Sequence, residues 1–139
     1  MKCSSRTGIA GALLGFLGVV LGAIGAHALE TVLPSESLES YKTGVYYLQW
    51  HGSLLLILGL IFRDKEAPFY IRRSILFFSM GIFLFSGSIF GLVFLPMLQV
   101  NASFLGPITP LGGLSLMMGW LCLFLYFIPR LQTPKSNEN

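Results

Sequence analysis

GIAGALLGFLGVVLGAIGAHAL, residues 8–29, contains no Asp, Glu, Lys or Arg and has glycine at 8, 11, 15, 18, 22 and 25. A run of about 20 apolar residues is what a helix needs to cross the ~30 Å hydrocarbon core of a bilayer. In a water-exposed helix each glycine costs roughly 1 kcal/mol against alanine, so a stripe of them needs a physical reason. In lipid that reason is contact. Hydrophobic gain from helix association is small there, and van der Waals packing between closely approaching backbones takes its place. A mean step of about 3.5 residues keeps such a seam straight along a left-handed helix pair.

Outward from this segment, three more runs lack any charge: about 44–62, about 74–98 and about 105–128. They explain why 54% of the 139 residues are hydrophobic and only 11% charged, and why the mean hydropathy is +0.74. A soluble domain carries about 25% charged residues, so this chain cannot cover a globule in water. The sequence predicts an all-α fold, an integral membrane four-helix bundle of antiparallel up-down helices. It forms one transmembrane domain over residues 1–139, with a disordered cytoplasmic tail at 130–139.

The sequence pI near 9.1 reflects topology and not nucleic-acid binding. Lys2 and Arg6 precede the first run, Arg63, Lys65, Arg72 and Arg73 lie between the second and third, and Arg130 and Lys135 follow the fourth. Eight of the nine basic residues thus fall on one side of a four-pass chain; Lys42 alone lies opposite, beside Glu30, Glu36 and Glu39. The positive-inside rule puts both termini in the cytoplasm; a plasma-membrane location (for a bacterium, the inner membrane) is the expectation. Ala26-His27-Ala28 after a basic N-terminus resembles a signal-peptide cleavage site, but the uncharged run exceeds the 7–15 residues of a typical signal core. Cys3 and Cys122 fall toward the reducing side, which argues against a disulfide framework.

The loop ETVLPSESLESYK is polar and acidic, and Tyr41, Tyr46, Tyr47 and Trp50 after it read as an aromatic belt at the outer interface. Helix four offers small residues at Gly112, Ser115, Gly119 and Cys122. Their spacing matches Gly11, Gly15, Gly18, Gly22 and Gly25, so the glycine face is expected to close the bundle against helix four, or to pair with a second copy.

Polar residues inside spans usually face protein or water. His27, Tyr47, His51, Ser86, Ser88 and Thr109 are the ones present, and they suggest an outer-leaflet polar pocket made by all four helices. Tyr47 and His51 share a helical face; His51 is expected to be buried, with His27 nearer the surface. Each also has a purely structural reading, because serine and threonine bond backbone carbonyls and a histidine can bridge helices. No span holds a carboxylate, lysine or arginine, so the usual parts of proton-coupled transport are missing. No hydrolase, zincin or phosphate-loop motif occurs. The sequence therefore predicts no catalytic residue, no metal site and no cofactor. It points to a binding or assembly module, with the lipid bilayer, a membrane protein or a second copy as partner. Two alternatives stay open: a small redox, metal or haem protein using His27 and His51, and a passive conduit for a small solute.

The segments GAIGAHAL, TGVYYLQWH, LFSGSIF and ITPLGG followed by GW, in that order along the spans, resemble the family catalogued as domain of unknown function 423. That family is similar to animal transmembrane protein 256. The resemblance rests on Gly22, Gly25, His27, Tyr47, His51, Ser86, Gly87, Ser88, Thr109, Pro110, Gly112, Gly113, Gly119 and Trp120. It implies a small multi-pass membrane protein of no assigned biochemical role. Two positions depart from the family pattern. Leu48 stands where glutamine often follows the tyrosine, with Gln49 next to it, and Phe90 stands where tyrosine is common.

The charge asymmetry yields a topology test. A reporter active only outside the cytoplasm, fused after Asn139, is expected to be silent, and activity there would overturn the orientation or the number of spans.

Overall fold

A computed structural model describes residues 3–128, so the tail at 130–139 and the basic residues Lys2, Arg130 and Lys135 lie outside the described residues. Four long helices are present: α1 Cys3–His27, α2 Ser35–Ile61, α3 Phe69–Phe94 and α4 Ile108–Phe127. All four are long and apolar enough to span a membrane. The protein is a four-helix membrane bundle of all-α class.

Proline sets two of the helix starts. Pro34 and Pro68 stand just before α2 and α3 in extended conformation, and their carbonyls accept the first helical bonds, from Leu38 and Arg72. Proline has no N–H to leave unsatisfied there. The stretch read as an outer loop is in large part the first turns of α2, which starts at Ser35 and not near residue 44. Glu36 in that first turn suits the positive end of the helix dipole. Between α3 and α4 the chain makes two single 3-10 turns, Pro96–Leu98 and Ser103–Leu105, and Gln99 (φ 59°) takes the left-handed conformation that closes the first of them.

Helix pairing differs from the expected closure of α1 on α4. The glycine face of α1 packs on α2, and α4 packs on α3; α2 and α3 join the two hairpins. Along the first seam, a Cβ at Gly11 would strike the Leu56 amide nitrogen and come 2.7 Å from the Gly52 carbonyl oxygen. At Gly18 it would come 3.0 Å from Gln49 Cβ, and at Gly25 2.7 Å from Cε1 of Tyr41. Gly8 lies opposite Gly59. Gly22 has only Val45 at van der Waals distance and Gly15 has nothing within 4 Å. The working seam is thus the period-seven set Gly11, Gly18 and Gly25. Along the second seam, Gly112 abuts the backbone of Leu84 and Phe85, Gly119 the Phe78 ring and Gly81 the Leu116 side chain.

In each seam a hydroxyl bonds a backbone carbonyl of the facing helix. Tyr41 donates to Leu21 and Ser115 donates to Phe77, both at 2.8 Å. Tyr41 is 0% exposed, which corrects its reading as an interfacial ring. It packs against Phe90 and Phe94 of α3, with centroids 5.4 and 5.8 Å away. Tyr46 and Trp50 are the members of that cluster that face outward. Between the hairpins the core is built from large side chains, among them Leu48, Leu55, Phe78, Ile82 and Leu116.

The seam geometry separates glycines that a sequence stripe makes look alike. Gly11→Ala is expected to lower the stability of detergent-solubilised protein by about 1–3 kcal/mol, the usual cost of overpacking. Gly15→Ala should stay within about 0.5 kcal/mol of the parent. Equal losses in thermal or denaturant unfolding would show that α1 does not dock on α2 in this register.

Candidate functional site

Because α2 and α4 both pack on α3, a groove is left between them with α3 as its floor. One stretch of it, about 570 Å³, is lined by Tyr47, Trp50, His51 and Leu54 of α2, Phe85 of α3, and Gly113, Met117 and Trp120 of α4, among others. Ligand sites are typically hollows of about 300–1,000 Å³ with mostly apolar walls and a few placed polar groups. His51 is the placed polar group here.

His51 is buried, at 7% exposure. Its Nδ1 lies 2.8 Å from the Tyr47 carbonyl and its Nε2 lies 3.3 Å from Trp120 Nε1. A carbonyl can only accept and an indole N–H can only donate. Both bonds are therefore made by a single species, the neutral ring with its proton on Nδ1. The ring stacks on Tyr47 at 5.6 Å and 22°, and it also meets Phe78 and Trp120. Ser53, on the rim, donates its hydroxyl to the Gln49 carbonyl of its own helix. The polar atoms that these bonds engage are satisfied within the protein, and what the groove offers is largely aromatic and apolar surface.

The other residues of the expected four-helix pocket do not gather around His51. His27 is exposed at the end of α1. Gly25 packs against Tyr41, ten residues before His51 on α2, and His27 lies two residues further out, so the two histidines are separated by about 18 Å along the axis. They do not form a shared ligand set. Ser88 donates to the Phe85 carbonyl at 3.0 Å and lies 2.7 Å from the Thr109 hydroxyl, tying α3 to α4. Thr109 is 3.5 Å from the Leu105 carbonyl, so its better bond is donation to Ser88. Ser86 is enclosed, and its hydroxyl has no hydrogen-bond partner among the described residues. Sequence reasoning paired Tyr47 with His51 but gave Trp120, Phe78 and Phe85 no place beside them. The available signal was a lone tryptophan in an apolar helix, whose N–H must find an acceptor.

The model of the family described as protein of unknown function (DUF423) matches residues 21–113, which carry most of this groove. The chain belongs to the DUF423 family. A UPF0382 membrane protein of Staphylococcus epidermidis is 38% identical over 117 residues, covering 84% of this chain and 90% of its own. YwdK, a UPF0382 membrane protein of Bacillus subtilis, is 35% identical over 115 residues, covering 83% and 89%. A UPF0382 membrane protein of Schizosaccharomyces pombe is 36% identical over 119 residues, covering 82% and 94%. No solved structure matches the chain significantly.

The histidine geometry is open to direct measurement. Nitrogen spectra of labelled protein are expected to show a protonated Nδ1 and an unprotonated, hydrogen-bonded Nε2. Trp120→Phe should shift the Nε2 resonance and cost about 1 kcal/mol, the usual net worth of one such bond. The opposite tautomer in the parent protein would remove the Trp120 bond.

Proposed function

We propose that this DUF423-family protein is a non-catalytic binding module, and that its site is the groove between α2 and α4, which takes a membrane-dissolved apolar molecule. The observation that carries this reading is the groove's lining. It opens sideways between two membrane-spanning helices, and both tryptophans of the chain stand on its walls, Trp50 61% exposed and Trp120 51% exposed. Large, rigid aromatic rings held open to an apolar solvent offer contact area at little cost in conformational freedom. The saturated hydrogen bonding of His51 favours this reading over metal or haem ligation, because the Nε2 lone pair already accepts from Trp120. On the orientation that the basic residues favour, the end of the bundle bearing Glu30, Glu36 and Glu39 faces outward from a plasma membrane.

Both tryptophans report on the site, so fluorescence tests it directly. Titrating the protein in nanodiscs with a tail-brominated long-chain alcohol is expected to give saturable quenching. Gly113→Leu should abolish the saturable part. A Cβ there meets Phe85 only at 3.8 Å, so the added side chain fills the groove without forcing helices apart. Quenching that rises linearly in parent and variant alike would mean simple partitioning into lipid and would sink the proposal.

A further inference from the structure

A second hollow of about 720 Å³ lies at the acidic end of the same three helices, lined by Glu36, Ser40 and Thr43 of α2, Ile89 and Val93 of α3, and Thr109 of α4, among others. The lining positions show that it continues the first. On α2, residues 36, 40 and 43 belong to this hollow and 47, 50, 54 and 57 to the groove, one stripe at steps of four and three. On α4, 110 belongs to the hollow and 113, 117 and 120 to the groove, at steps of three and four, and Gly106 of the preceding connection also lines the hollow. On the floor, Ile89 and Phe85 are one turn apart on α3. Residues spaced so share one helix face, so the two hollows form one cleft. Tyr47 packed on Phe85, centroids 4.5 Å apart, is the floor where they meet.

The cleft is polar at one end and apolar along the rest. Glu36, Ser37, Ser40, Thr43 and Thr109 line the first part. The apolar part from Tyr47 to Ile57 covers about 15 Å of helix axis and begins about 17 Å along α2 from Glu36. Glu36 is the one charged residue lining either hollow among the described residues. Its neighbours Glu30 and Glu39 are also acidic, against Lys42 alone, and none of these three lines the cleft. A carboxylate among hydroxyls complements a cationic, hydrogen-donating group.

We propose, resting on the binding reading above, that the occupant is a single-chain amphiphile with a positively charged amine head. The head sits at Glu36 with the hydroxyls around it, and the tail lies between Trp50 and Trp120. The chain therefore selects by head as well as by tail, and the tail reaches about 21 Å along α2 from Glu36 to Trp50.

The test uses full-length protein in zwitterionic nanodiscs and three probes with one brominated tail: a primary amine, an alcohol and a sulfonate. Tryptophan quenching is expected to saturate at about tenfold lower concentration for the amine than for the alcohol, as a charge-assisted bond implies. The sulfonate should bind more weakly than either. Glu36→Gln should remove the preference for the amine over the alcohol, whereas Glu39→Gln should preserve it. Saturable quenching with equal amine and alcohol affinities, or an amine preference that survives Glu36→Gln, would overturn the head site while leaving the apolar groove standing. No saturable quenching by any probe would overturn both.

Discussion

Two helix backbones can come into contact only where a Cβ is missing, and every larger feature of this bundle follows from where that happens. At Gly25 the absent side chain lets the Tyr41 ring lie against α1, which brings its hydroxyl to the Leu21 carbonyl. Close approach at Gly112 and Gly119 likewise brings Ser115 to the Phe77 carbonyl. In water such bonds would compete with solvent. In lipid an unmatched hydroxyl has nothing else to bond, so a good partner in the facing helix fixes register as well as affinity.

The two seams consume the small-residue faces of α1 and α4, and that leaves large side chains to join the hairpins. Leu48, Leu55, Phe78 and Ile82 pack α2 on α3 through side chains, and α1 and α4 each keep to their own hairpin partner. The space between α2 and α4 becomes the cleft. His51 and Trp120 bridge it with a single bond of 3.3 Å, which holds the walls in relation to each other without filling the gap. The hollow between α2 and α4 is thus a by-product of which helices are allowed to touch.

Span count, helix class and the burial contrast between His51 and His27 were legible because they depend on hydropathy and on distance from helix ends. Pairing was not legible from the glycine stripe alone. The spacing of Gly11, Gly18 and Gly25 fits α4, but it fits Gly52 and Gly59 of α2 equally well, and a short connection makes sequence neighbours the default antiparallel partners. Tyr41 was misplaced because a tyrosine near a helix end suits both a headgroup belt and a buried bond, and only the facing Gly25 decides between them. The expected pocket scattered for a related reason. Ser88 and Thr109 bond each other at one level of the bundle, while His51 bonds Tyr47 and Trp120 at another.

Pairing between sequence neighbours also bears on how the protein is made. Each seam joins a helix to the next one synthesised, so α1 and α2 can lock together as a hairpin before α3 leaves the ribosome. Closure of α1 on α4 would instead have left a glycine-lined face waiting in the bilayer until the last span arrived. Contacts that are near in sequence form early and cheaply. With only 17% of its most apolar 18-residue window buried inside the protein, α1 has few contacts besides those with α2.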